Sequence, residues 1–244
     1  MQASELNGLL EEARAYQLLA RAFIYPDKEW FESFVKFLDM RKEKHGNDTK
    51  FEDSLRSALN YSLDEHSLDG IADEYNRLFM AGENLLVPVY ETEYAMDTIF
   101  AKTKELADLN GFYSAFGLQL GKDSNRERPD HVSIELEFMA TLLIKEAYAW
   151  NEGWDDKVNV CLEARKKFLK DHIGRWGPTF CTVIKHKTEI EFYKVVAGLA
   201  LDLINKDLKD LKVKPGFMEP FEKIAQHIRD ESPSIDPNDC PIEH

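Results

Sequence analysis

Apolar positions recur along this chain at three- and four-residue steps, the spacing that puts one hydrophobic stripe on an amphipathic helix. Leu6, Leu9, Ala13, Tyr16, Ala20 and Phe23 make the first stripe. Pro26 disfavours helix at Tyr25 and ends it there. Asp27 is placed to cap a second helix carrying Trp30, Phe31, Phe34 and Leu38. The polar run from Arg41 to Lys50, with Gly46 and Asn47, reads as a loop. A short helix with Leu55, Leu59 and Leu63 follows, then another whose apolar face holds Leu68, Ile71, Tyr75, Leu78 and Phe79. After Gly82 the pattern breaks into Leu85-Leu86-Val87-Pro88-Val89-Tyr90, an apolar run without helical logic in which Pro88 favours an extended or turn conformation.

Helical spacing resumes near Asp97 and passes through Ile99, Leu106, Phe112 and Phe116. Gly117 and Gly121 open a polar loop, Lys122 to Arg128, that ends at Pro129. Asp130 is then expected to cap a helix with the stripe Val132, Leu136, Met139, Leu143, Ala147 and Trp150. A helix from Asp155 buries Val158, Leu162, Phe168, Leu169, Ile173 and Trp176, and Gly177-Pro178 is expected to stop it. Phe180 to Ile184 reads as a short helix. Thr188 with Glu191 matches a capping box ahead of Phe192, Val196, Leu199 and Leu203. A last helix is expected over Pro220 to Arg229, before Pro233, Pro237 and Pro241 exclude regular structure. The expectation is an all-α fold: one domain of about ten helices over residues 1–230, with an irregular tail at 231–244.

Composition narrows the function. Of 244 residues 43% are hydrophobic, enough for a substantial core, and 45 acidic against 31 basic residues give a net charge of −14. That sign repels phosphate backbones and argues against nucleic acid, while it favours cationic partners such as arginine-bearing peptides. Cys161, Cys181 and Cys240 are widely spaced, without metal-ligand spacing or a disulfide framework. Met1 to Leu10 lacks the pattern of a signal peptide, and no apolar stretch is long enough to span a membrane, so a soluble cytoplasmic protein is expected.

Phosphate-binding loops, dinucleotide fingerprints, nucleophile elbows and zinc helices are all missing from the sequence. No catalytic, metal or cofactor residues are assigned. Two clusters stand out instead. One is Tyr75-Asn76-Arg77-Leu78-Phe79 with the later Pro88-Val89-Tyr90-Glu91-Thr92-Glu93-Tyr94. The other is Glu127-Arg128-Pro129-Asp130-His131, with Glu135 one helical turn beyond His131. Core packing accounts for the first cluster and helix capping for the second. Asp130, His131 and Glu135 would also suit a metal-dependent helical enzyme, and a structural subunit of a redox complex is a third reading.

In order and spacing these clusters resemble the TorD/DmsD family of redox enzyme maturation chaperones, related to NarJ. Tyr75 to Phe79 resembles the family's aromatic-x-x-Leu-Phe motif, and Pro88 to Tyr94 its proline-led segment with an acidic residue and an aromatic. Glu127 to His131 resembles its Glu-Pro-x-Asp-His motif with proline moved by one. Phe112 to Gly117, Glu135 to Met139, Phe168 to Phe180 and Phe192-Tyr193 extend the likeness over roughly residues 10–210.

The resemblance implies an all-helical protein that is not an enzyme and carries no cofactor of its own. Its partner would be the apo-form of a molybdopterin (bis-MGD) oxidoreductase catalytic subunit, held through its N-terminal twin-arginine signal region until cofactor insertion permits export. Tyr75, Leu78 and Phe79 would line the apolar part of the binding groove, with Pro88 and Tyr90 on its rim. Glu127 and Asp130 would meet the arginines, and His131 would orient Asp130 or contact peptide backbone. A monomer or a domain-swapped dimer is compatible with such a fold.

Overall fold

A computed structural model describes residues 3–40, 50–80, 82, 85–94, 99–119 and 127–216. The described residues form eight α-helices rather than about ten: α1 (Ala3–Ala22), α2 (Lys28–Asp39), α3 (Lys50–Phe79), α4 (Ile99–Ala115), α5 (Val132–Asn151), α6 (Asp155–Asp171), α7 (Ile173–Lys187) and α8 (Glu191–Asp210). One 3-10 turn, Glu91–Glu93, precedes α4. The helix expected at Pro220 to Arg229 and the tail at 231–244 lie outside the described residues.

Part of the difference in number comes from α3. Its two expected halves are continuous but kinked at Ser67, whose backbone sits at φ 61° and ψ 174°. The Ser67 hydroxyl accepts from Gly70 N at 3.4 Å and so starts the second half. The apolar register already steps there, from Leu63 to Leu68.

The expected stop at Gly177-Pro178 is not observed. The chain instead breaks at His172, between α6 and α7, and Pro178 lies inside α7. In the second turn of a helix a proline forgoes one backbone bond, here to Gly174, and the rest of the helix continues. The break needs Gly174: a Cβ there would lie 2.2 Å from the Leu169 carbonyl oxygen.

Two capping assignments also change. His131, not Asp130, caps α5, its Nδ1 accepting from Ser133 N at 3.2 Å. Thr188 makes no capping box. It ends α7, receives Ile190 N at 3.2 Å and donates to Glu74 at 2.7 Å. The Phe192 amide at the start of α8 is satisfied from a distance, by Ser62 Oγ at 2.9 Å. Asp27 caps α2 as expected, accepting from Trp30 N at 2.7 Å.

Helix α5 lies between α1 and α6, while α8 packs on α7 and α3. Because α5 has neighbours on two sides, Phe138, Ala140 and Leu142 are buried along with the expected stripe, and Trp150 is only half-buried. An aromatic spine joins α4, α5 and α6: Phe112, Tyr113 and Phe116 pack against Phe138, which lies 4.8 Å from Phe168. A second aromatic group ties α1, α3, α7 and α8 through Phe23, Phe79, Phe180 and Tyr193. Edge-on packing of this kind adds specific orientation to the apolar burial.

Candidate functional site

Two loops that lie far apart in sequence meet in front of α5. The chain leaving α3 folds back on it, Val87 N donating to the Leu78 carbonyl at 2.9 Å. It then pairs antiparallel with the segment entering α5, at Tyr90 and His131. Glu91 N donates to the Asp130 carbonyl and Val132 N to the Val89 carbonyl, both at 2.9 Å. Two tyrosines clamp the pair from below. Tyr94 OH reaches the Pro88 carbonyl and Tyr113 OH the Pro129 carbonyl, each at 2.8 Å.

This pairing brings Tyr90, Glu127, Asp130 and His131 together. The Tyr90 ring stands edge-on to His131 at 5.3 Å, and its hydroxyl donates to Glu127 at 2.9 Å. Partial burial and the Glu127 carboxylate push the Tyr90 hydroxyl up to about 12. Burial holds the His131 imidazole below its ordinary range despite the carboxylates nearby. Its Nδ1 also meets Ser133 Oγ at 2.7 Å.

Asp130 is fully buried and accepts from within the chain. Arg128 binds it through Nε at 3.1 Å and Nη2 at 2.8 Å. Thr92 adds its hydroxyl at 2.8 Å and its amide at 3.3 Å. The Arg128 guanidinium lies 4.3 Å above the Tyr90 ring and 3.7 Å from Glu93. The outward face is thus a tyrosine ring with one guanidinium, bordered by the carboxylates of Glu93 and Glu127.

Tyr75, Leu78 and Phe79 are not part of that face. All three are buried: Tyr75 OH reaches the Phe23 carbonyl at 3.3 Å, and Phe79 packs on Phe23, Phe180 and Tyr193. Pro88 is buried as well. The apolar lining expected from these residues is spent on the core, because the α3 stripe faces α8, Phe23 and Phe180 in the middle of α7. Asp130, His131 and Glu135 do not converge either. Each turns to its own partner, and among the described residues no group of three such side chains is arranged to hold a metal.

The side chains that secure the site from behind carry little local pattern. Glu91 is fully buried and binds His172 Nδ1 at 2.9 Å and Arg175 Nη2 at 3.0 Å. Arg175 also pairs with Glu105, and His172 Nε2 faces Asp108 at 3.3 Å. Next to them Glu135 accepts from Trp176 Nε1 at 3.1 Å. Burial, reinforced by the Glu91 charge, raises the Glu135 carboxyl well above its ordinary range. In the sequence Glu91 showed only as part of Pro88 to Tyr94, and His172 only within the Phe168 to Phe180 likeness, inside what read as a single helix.

Comparison with known proteins bears on the family and the fold. The family model described as nitrate reductase delta subunit matches residues 44–182. A selenate reductase assembly chaperone protein from Thauera selenatis is 28% identical over 180 residues, covering 72% of this chain and 79% of that protein. A chaperone protein TorD from Photobacterium profundum is 24% identical over 156 residues, covering 64% and 70%. The crystal structure of a protein described as a redox enzyme maturation protein from Archaeoglobus fulgidus superposes with a TM-score of 0.51 at 18% identity, over 79% of this chain and 93% of that one, and shares the fold. With the matched model spanning more than half of its length, the chain belongs to the nitrate reductase delta subunit family, the TorD-related group of chaperones and assembly proteins for redox enzymes, and is not an enzyme.

Proposed function

We propose that this protein is a cytoplasmic chaperone dedicated to one molybdoenzyme. It would bind the N-terminal twin-arginine signal region of the apo catalytic subunit, assist insertion of the bis-MGD cofactor and delay export until the client is mature. The observation that carries this reading is the surface formed where residues 88–93 meet 127–131. A tyrosine face flanked by the carboxylates of Glu93 and Glu127, with Asp130 beneath, has the chemistry that recognises guanidinium groups. The net charge of −14 draws a basic peptide toward it. Among the described residues no helix is long and apolar enough to cross a membrane, as a cytoplasmic chaperone requires.

The test is an affinity pull-down of tagged protein from its native cells, with mass spectrometry of what accompanies it. The outcome expected is an immature molybdoenzyme catalytic subunit that retains its N-terminal signal, recovered on the order of tenfold less with Glu127→Gln. Recovery of only the mature, cofactor-loaded enzyme would favour a structural subunit. Equal recovery of the precursor by wild type and a folded Glu127→Gln/Tyr90→Ala variant would place the binding surface elsewhere.

A further inference from the structure

Asp130, which the reading above assigns to a client arginine, is already held by an arginine of this chain. The Arg128 guanidinium forks onto both carboxylate oxygens and also donates to Thr92 Oγ1 at 2.6 Å, while that hydroxyl donates onward to Asp130. Its planar face covers the Tyr90 ring. A carboxylate fork combined with an aromatic face suits a guanidinium and not an ammonium. The Asp130 side chain is 0% exposed, whereas that of Arg128 above it is 42% exposed. Nothing from outside reaches Asp130 unless Arg128 leaves.

We propose that Arg128 is an intramolecular placeholder: it occupies the arginine site of the free chaperone and is displaced by an arginine of the client. This rests on the signal-binding reading. Displacement is feasible because it exchanges like for like. The incoming guanidinium inherits the contacts to Asp130, Thr92 and Tyr90, and the half-exposed Arg128 side chain swings into water. Because one guanidinium replaces another, the buried Asp130 carboxylate stays paired throughout and only the half-exposed Arg128 side chain changes its surroundings. Arg128 stands only two residues from Asp130, so a side-chain rotation frees the site without unfolding the loop.

The consequence is selectivity. A ligand offering one arginine gains little, since it replaces contacts the protein already makes. One offering two adjacent arginines places the second against Glu127, which accepts from the Tyr90 hydroxyl, and gains a net ion pair there. A placeholder also keeps Asp130 from being a buried, uncompensated charge between clients.

The probe is a synthetic peptide with an Arg-Arg pair followed by an apolar stretch, alongside its Lys-Lys counterpart. Binding by fluorescence anisotropy is compared for wild type, Arg128→Ala, Arg128→Lys and Asp130→Asn, each checked for helical content. Removing an internal competitor raises the competent fraction, so Arg128→Ala is expected to bind the Arg-Arg peptide on the order of tenfold more tightly, with no gain for Lys-Lys. Millimolar methylguanidinium is expected to raise the melting temperature of Arg128→Ala and leave that of wild type unchanged, because only the variant has a vacant guanidinium site.

If a folded Arg128→Ala binds the peptide no better than wild type while Asp130→Asn weakens binding, the placeholder idea falls and the signal-binding reading stands. If Asp130→Asn makes no difference, or no form binds the peptide, the site itself is misassigned and both fall. Should Arg128→Ala not fold, Arg128→Lys decides. It keeps a charge over Asp130 but loses the fork, so several-fold tighter peptide binding supports the proposal and unchanged binding overturns it.

Discussion

Asp207 carries a pH dependence that can be worked out from its surroundings. It is buried between α8, α1 and α6, accepts from Tyr16 OH at 2.8 Å and lies 3.6 Å from Arg165. That guanidinium is shared with Glu12 at 2.8 Å and Glu146 at 2.9 Å, and Lys206 Nζ binds Glu12 at 2.6 Å. Burial first, and the Glu12 charge second, raise the Asp207 carboxyl to about 7. The folded protein therefore keeps a proton that the unfolded chain releases near its ordinary carboxyl range. Stability from this residue is fully present below the unfolded value, declines as pH rises toward about 7, and is level above it. Each pH unit in that window costs roughly 1.4 kcal/mol, so the step from pH 5 to pH 8 costs roughly 2 to 3 kcal/mol. Asp207→Asn keeps the acceptor for Tyr16 and removes the titration. Urea unfolding of both proteins at pH 5, 6, 7 and 8 is expected to show the variant gaining on wild type by that amount over the series. A difference in stability that stays constant with pH would refute the argument, because titrating groups away from the Asp207–Glu12 cluster cancel in the comparison.

Three further perturbations test the framework around the site. Glu91→Ala removes the buried carboxylate that joins Arg175 and His172, leaving them only Glu105 and Asp108, and is expected to cost at least about 2 kcal/mol in urea unfolding, with Glu91→Gln less damaging; a loss below about 1 kcal/mol for the alanine variant contradicts the anchoring role. Gly174→Ala forces a Cβ against the Leu169 carbonyl and is expected to cost at least about 2 kcal/mol in the same assay, whereas an unchanged midpoint would mean that the α6–α7 turn has room for a side chain. Ser67→Gly relieves a left-handed backbone at the price of a long capping bond and is expected to add about 1 kcal/mol, readable as a higher melting temperature; a lower one would show the hydroxyl to matter more than the strain.

Most of the helical architecture was legible in the chain because amphipathic periodicity survives wherever one face of a helix stays in solvent. The five-residue step from Leu63 to Leu68 read as a gap between two helices, and the structure has a kink in one helix at that place. The α6–α7 break was misplaced because Gly177-Pro178 is the louder sequence signal, although its second-turn position makes it compatible with helix. The residue that shapes the break, Gly174, looks ordinary until its distance to Leu169 is known. The motif residues Tyr90, Glu127, Asp130 and His131 were visible as two clusters, and their meeting depends on a single antiparallel bridge. Glu91, His172 and Arg175 were not visible as a group. Their contacts span 81 and 84 residues, and a lone charged side chain leaves no periodic trace.

The way the site is held explains why face and anchor should respond differently to substitution. Two backbone bonds are too few to fix the register of a pair of short loops, so side chains from the helices supply the rest. Tyr94 and Tyr113 hold backbone carbonyls on either side of the bridge, Glu91 ties the first loop to α7, and His131 is locked by the first turn of α5. An apolar underside of the same area would tolerate sliding, whereas each of these polar contacts has one partner at one distance. Altering an anchor should therefore lower stability and peptide binding together. Altering Glu127, which sits on the outward face, should change binding while unfolding stays within about 0.5 kcal/mol of wild type, whereas removing the Arg128 guanidinium also strands the buried Asp130 carboxylate and should lower stability as it changes binding.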